Sequence, residues 1–192
     1  MSQMEPWKEF PHIWNTKAKF MSWVRGGIRG GLWKKHPVKL QYMDSKTFKI
    51  ENTNPRSMKA HPFVKASQCE ICGVVEKLVV NKKNYFEVDH INGNSSLRSM
   101  DDVRNFIDSM IMVTFDDLQI VCKECHAIKT LAERKGISFE EAALDKKVIA
   151  ICKGSVSSVQ AFLREKGITP AGNATQRKKQ VVEALKQEDK IE

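Results

Sequence analysis

The sequence has no apolar run approaching the ~18 residues that a membrane-spanning helix requires. Its opening, MSQMEPWKEF, lacks the basic-then-apolar pattern of a secretory leader, so the chain is expected to act in the cytoplasm, away from membranes. Cysteine is scarce, with five in 192 residues. That argues against a disulfide framework, and in a reducing compartment paired Cys-x-x-Cys motifs more often hold metal. A hydrophobic content of 41% with 29% charged residues excludes a disordered chain. The length suits one core, with room for a small appendage.

Acidic residues are sparse at one end. Residues 1–65 hold 13 Lys and Arg against 4 Asp and Glu, whereas the other 127 residues hold 19 of each sign. The whole excess of +9 therefore lies in the first third, which suits attraction to a polyanion, nucleic acid first. A solubilising charged face is the plainer alternative. The same segment interleaves cations with aromatics: Trp7, Trp14, Phe20, Trp23 and Trp33 among Lys17, Lys19, Arg25, Arg29, Lys34 and Lys35. A helix is expected to begin within TKAKFMSWVRGGIRGGLWKKHPVKL, with Ala18, Met21 and Val24 or Arg25 on one face. The glycines between Gly26 and Gly31 are expected to interrupt it. The tryptophans read as local core, and Arg25, Arg29, Lys34 and Lys35 as contacts to a phosphate backbone.

Residues 52–65, NTNPRSMKAHPFVK, carry two prolines and little periodicity and read as an irregular loop, with His61 at its surface. YFEVDHI, Tyr85 to Ile91, alternates like a strand. SMDDVRNFIDSMIMV reads as a helix capped by Ser99 with Asp102 three residues on, its stripe being Met100, Val103, Phe106, Ile107, Met110 and Ile111. LQIVC returns as a short strand, and KECHAIKTLAERKG as a helix ending near Gly136. A second short helix is expected from Ser138, with Glu141 completing a capping box. From about Lys147 the character changes. SVSSVQAFLREKG and TQRKKQVVEALKQ read as two helices joined by ITPAGNA, with Val156, Val159, Phe162 and Leu163 facing Val181, Val182 and Leu185. A core that small is marginal by itself.

The chemistry lies in the centre. Cys69, Cys72, Cys122 and Cys125 form two Cys-x-x-Cys knuckles, a set that suits a closed, tetrahedral, structural zinc site. A redox pair or chance cysteines are the alternatives, and Cys152 is left over as an ordinary thiol. Four thiolates leave the zinc no open position, so attention moves to Asp89 and His90 at the strand end and to His126 after the second knuckle. A carboxylate and an imidazole can share a divalent cation such as Mg²⁺ or Mn²⁺. Adjacent strand residues point to opposite sides, so His90 need not ligate what Asp89 holds and could take a proton from water.

The order Cys-x-x-Cys, Asp-His-Ile, then Asp-Leu-Gln-x-x-Cys-x-x-Cys-His-x-x-Lys-Thr resembles the HNH endonucleases, a ββα-metal nuclease family common in bacteriophages. The resemblance spans about residues 67–135. It implies His90 as general base, Asp89 and His126 as ligands of a catalytic Mg²⁺ or Mn²⁺, and Lys129 near a phosphate, with double-stranded DNA as substrate. Asp117 stands where the family usually has asparagine, whose amide braces the loop of the general base; an ionised aspartate accepts such bonds but donates none. The tail, VQAFLREKGITPAGNATQRKKQVVEAL, resembles the SAP motif, a helix-extended-helix DNA-binding module, though NATQR departs from its usual spacing. That likeness implies DNA contact by Lys178 and Lys179; a plain helical hairpin is the alternative.

The expected architecture is thus α+β: a basic N-terminal segment over 1–65, a zinc-braced ββα-metal nuclease over 66–146, and a SAP-like module over 147–192. The expected activity is phosphodiester hydrolysis by a monomer or homodimer, with other phage DNA-processing proteins as further partners and, for a phage protein, the host cytoplasm as its location. A junction- or branch-selective nuclease and a non-catalytic, zinc-dependent DNA-binding protein are the competing readings.

Overall fold

Pro6–Glu9 forms a single turn, α1, with proline at the first helical position, where its missing N–H costs nothing. The computed structural model describes residues 5–93 and 97–188; residues 1–4, 94–96 and 189–192, with the outer ends of the first and third expected segments, lie outside them. Thr16 caps the next helix, α2 (Lys17–Ile28), its hydroxyl accepting from Lys19 N–H at 3.2 Å. The expected interruption at the glycines does not occur. α2 runs through Gly26 and Gly27 and continues as a π-helical turn, Arg29–Trp33. The reason is tertiary: Phe20 and Met21, flanked by Val24 and Ile28, bury against Leu97, Phe106 and Met110, and such burial outweighs the weak helix propensity of glycine. The buried face is therefore Phe20 and Met21, while Ala18 is exposed. Trp7, Trp14 and Trp33 pack against this core as expected, but Trp23 is 63% exposed.

α3 (Pro37–Ser45) leads into a three-stranded antiparallel sheet of β1 (Phe48–Glu51), β2 (Phe63–Gln68) and β3 (Val75–Lys77), with β2 central. Ala66 sits opposite Phe48 on one side and Lys77 on the other. The loop expected over 52–65 is irregular only as far as Pro62. Buried Asn52 fastens it by donating to His61 O at 2.8 Å and Ser57 Oγ at 3.1 Å. β4 (Val79–Val80) and β5 (Lys83–Asn84) form a small hairpin. Its turn residues Asn81 and Lys82 both take positive φ, 51° and 62°, as a two-residue type I′ connection demands.

β6 (Phe86–His90) and β7 (Leu118–Cys122) pair antiparallel, with Phe86 opposite Cys122 and His90 opposite Leu118. The alternation read from the sequence holds: Phe86, Val88 and His90 are buried, and Glu87 and Asp89 are half-buried. Between these strands lies α4 (Val103–Ile111), which starts later than expected and is preceded by Asp102 rather than capped by Ser99. The Asp102 carboxylate accepts from the backbone N–H groups of Arg98 and Ser99 and from the Ser99 hydroxyl, which holds Ser99 in a turn outside the helix. Of the expected stripe only Phe106 and Met110 are buried.

The chain divides into two compact units, residues 1–123 and 124–192. α5 (Lys123–Lys135) begins at that division and stops before Gly136, whose φ of +65° suits the end of a helix. α6 (Phe139–Cys152) has the expected capping box: Ser138 Oγ accepts from Glu141 N–H, and the Glu141 carboxylate accepts from Ser138 N–H. It runs 14 residues, longer than expected. α7 (Val156–Glu165) and α8 (Ala174–Glu188) follow. The core across them is Val159, Leu163, Val181 and Leu185, but it also takes in Val148 of α6, while Val156 is 57% exposed. Buried Arg177 donates to Ala171 O and Gly172 O, holding the loop between the last two helices from within.

Candidate functional site

The four paired cysteines converge. Cys69 follows β2 directly, and the chain turns at Gly73, whose φ of +73° disfavours any side chain. Gly73 N–H donates to Cys69 O and Cys69 N–H to Val74 O, both at 2.9 Å, closing the first knuckle. Glu70 N–H donates to Ile120 O at 2.8 Å and docks the knuckle on β7, which ends in Cys122. Cys122 N–H in turn donates to Cys69 Sγ at 3.3 Å. The sulfur atoms of Cys69, Cys72, Cys122 and Cys125 all lie within 4.8 Å of one another, and those of Cys72 and Cys122 are 3.9 Å apart. Thiolates placed tetrahedrally at ~2.3 Å from zinc sit about 3.8 Å apart. The cluster could therefore hold a structural metal ion such as zinc.

None of the five cysteines is in a disulfide. Burial pushes the Cys69 thiol up, but the backbone N–H groups of Cys72, Cys122 and Ile71 outweigh it and bring the pKa down to about 7. A thiol so poised gives up its proton to a metal easily. Cys152, half-buried in α6, packs at the edge of the other unit's core.

Glu70, which the sequence did not single out, ties this knuckle to its surroundings. Its carboxylate accepts from the Tyr42 hydroxyl of α3 at 2.8 Å, from Lys46 Nζ at 2.8 Å and from Ile120 N–H of β7. Partial burial of Glu70 opposes ionisation, yet the bonds from Lys46, Ile120 N–H and Tyr42 prevail and hold it below the usual carboxylate range.

The end of β6 is a second concentration of polar groups. Asp89 is half-buried opposite Gln119, and His90 is 6% exposed with its Nε2 closed off from solvent. The Trp33 ring stacks on the His90 imidazole at 4.2 Å and 24°, and Lys39 Nζ lies 4.7 Å from the Trp33 centroid. Burial holds Arg29 below its ordinary pKa, helped by Arg25, while Asp89 pulls the other way. Lys39 is likewise lowered by burial against the opposing pull of Glu87 and Asp89. Both cations therefore lie within electrostatic reach of Asp89. Neither Trp33 nor Lys39 carries a sequence signal for this placement, since 57 residues separate Trp33 from His90.

Asp117 is exposed and turned to its own loop. Its carboxylate accepts from Thr114 N–H at 2.7 Å and Thr114 Oγ1 at 2.8 Å, bonds that hold it below the usual carboxylate range, with a smaller pull from His90. Its backbone carbonyl, not its side chain, reaches the Asp-His segment, accepting from Ile91 N–H at 2.8 Å. The side-chain amide next to His90 is that of Gln119, whose Nε2 donates to His90 O at 3.3 Å. His126 is half-buried in the first turn of α5. Of the cations read as nucleic-acid contacts, Lys34, Lys35, Lys178 and Lys179 are exposed. Arg25 donates to Leu97 O at 2.8 Å, Arg29 lies over the Phe106 ring, and Lys129 pairs with Glu133 at 3.3 Å.

Compared with known proteins, the chain matches no family model, no curated protein and no solved structure significantly. Fold and site together define a mixed helix-and-sheet protein with small antiparallel sheets and a four-cysteine candidate metal centre. No helix among the described residues is long and apolar enough to cross a membrane.

Proposed function

We propose that this chain is a metal-dependent endonuclease of the HNH type that hydrolyses phosphodiester bonds in double-stranded DNA, with zinc in the four-cysteine centre as a structural brace. The observation that supports the reading best is the pairing of β6 with β7. An Asp-His pair ends one strand, and the partner strand runs through the metal-centre cysteine Cys122 into α5, which carries His126. A non-catalytic zinc protein needs the cysteines but has no use for that constellation.

In this reading His90 takes the proton from the attacking water. Asp89 and His126, an oxygen and a nitrogen donor, would hold a Mg²⁺ or Mn²⁺ ion, which when bound stabilises charge on the phosphoryl and leaving oxygens. Gln119 restrains the backbone of the general base, and Asp117 fixes the turn that enters β7. The basic first segment and the SAP-like tail, through Lys34, Lys35, Lys178 and Lys179, supply salt-sensitive affinity for the DNA backbone. One active site cuts one strand, so a double-strand break takes a dimer or two successive events.

Incubating supercoiled plasmid with purified protein and Mg²⁺ or Mn²⁺ tests this. Wild type should nick or linearise the plasmid, and His90→Asn should lose cleavage by at least ~10²-fold while still binding DNA. Equal cutting by the two proteins would remove His90 from the mechanism. One observation favours the non-catalytic alternative: His90 is buried under Trp33, as a purely structural histidine would be. A wild type that binds DNA and cuts nothing with either cation would select it.

A further inference from the structure

A general base that works on water at a phosphodiester needs its ring within reach of solvent, and here His90 is 6% exposed, with its Nε2 shut off from solvent. One face of its ring is covered by Trp33, the last residue of the π-helical turn Arg29–Trp33. That turn closes through a bond from Lys34 N–H to Arg29 O at 2.9 Å, and π-helical turns are uncommon and concentrate at functional positions.

The segment also carries glycines that this conformation does not require. None of Gly26, Gly27, Gly30 and Gly31 has a positive φ, and a Cβ on any of them would meet no side chain or neighbouring segment within 4 Å. Alanine would fit at all four and would favour the helix at each. The covered conformation therefore does not account for these glycines, which leave the backbone freer to rearrange. Around the segment the charge is of one sign: between Glu9 and Asp44 the sequence has seven Lys and Arg and no Asp or Glu.

We propose that Arg29–Trp33 is a movable cover on His90, hinged at Gly26 and Gly27 before it and at Gly30 and Gly31 within it, and that a polyanionic backbone bound to the surrounding cations displaces it. The proposal rests on the nuclease reading for its purpose, but its physical content, the opening of His90, is measurable without any cleavage. Bound phosphates favour the open state because they draw on Lys34, Lys35 and the arginines at the segment, and a ligand shifts an equilibrium only by such a difference between states.

The test is the rate at which diethyl pyrocarbonate modifies His90, followed by peptide mass spectrometry in the full chain without added divalent cation. Trp33→Ala should raise the rate about tenfold. Heparin, a polyanion the protein cannot cut, should raise it in wild type and much less in the Gly30→Ala/Gly31→Ala variant, which has room for both methyl groups and keeps the helix. The same double variant should nick plasmid at least tenfold more slowly at unchanged DNA affinity. The cover is refuted if Trp33→Ala leaves His90 as protected as in wild type, or if heparin leaves the wild-type rate unchanged or lower. It is refuted equally if the glycine variant responds to heparin as wild type does. If the modification pattern holds but no protein cuts plasmid, the cover stands and the nuclease reading falls.

Discussion

At the scale of single residues, Glu70 shows how one side chain ties the cysteine cluster to its surroundings. It joins α3, the first knuckle and β7 through bonds to Tyr42, Lys46 and Ile120 N–H. Because these bonds favour the carboxylate, its folded pKa lies below the ordinary value. The stability it adds is therefore present above the unfolded pKa of about 4.3 and is lost as pH falls through the lower folded value. Its side chain is 32% exposed, so solvent screening limits the contribution to about 1 kcal/mol. Glu70→Gln is expected to lower stability by that amount at neutral pH and to leave the acid limb of the unfolding profile flatter than in wild type. Chemical denaturation at a series of pH values measures both, and an unchanged acid limb would show the carboxylate to be idle. Nothing in QCEICG marks this residue, since its partners lie 24, 28 and 50 positions away. Asp117 shows the converse. Its place in the motif was legible, but its partner, Thr114, is a matter of local loop geometry.

At the scale of elements, some readings from local pattern held, whereas the Ser99 cap of α4 and the break at the glycines did not. The capping box of α6 was legible because Ser138 and Glu141 satisfy each other within one turn. The alternation of β6 was legible because one face is buried and the other is not. The sheet of β1 to β3 left no such trace: Phe48 and Phe63 are exposed, so the pattern shows no clean period, and its register is set by pairing across the loop. The helix through Gly26 and Gly27 was missed because its stability comes from Leu97, Phe106 and Met110, far along the chain. The four-cysteine cluster joins elements in the same long-range way, bringing the end of β2 to the end of β7. Cys69→Ser is expected to bind less than one zinc per chain by elemental analysis and to melt well below wild type. Full zinc occupancy with an unchanged melting temperature would show that the centre is not a brace.

At the scale of the whole molecule, charge and chemistry lie in one order along the sequence. A strongly cationic first segment precedes the Asp-His pair and the cysteine centre, and a helical unit follows with exposed Lys178 and Lys179. The strands β6 and β7 and the helix α5 were each readable from local alternation and helix-end signals. The cover of His90 by Trp33 was not, because a stacking contact between positions 33 and 90 leaves no local pattern. Zinc held by four thiolates would keep no open position, so the proposed hydrolysis relies on a second cation held elsewhere.

The most direct measurement is therefore plasmid cleavage by protein loaded with zinc and no other cation, with and without added Mg²⁺ or Mn²⁺, beside Asp89→Ala and His126→Ala variants loaded in the same way. Wild type should cut only when the second cation is added, and each variant should cut at least ~10²-fold more slowly. Cleavage by wild type without added cation, or undiminished cleavage by either variant, would contradict the assignment of the two metal roles.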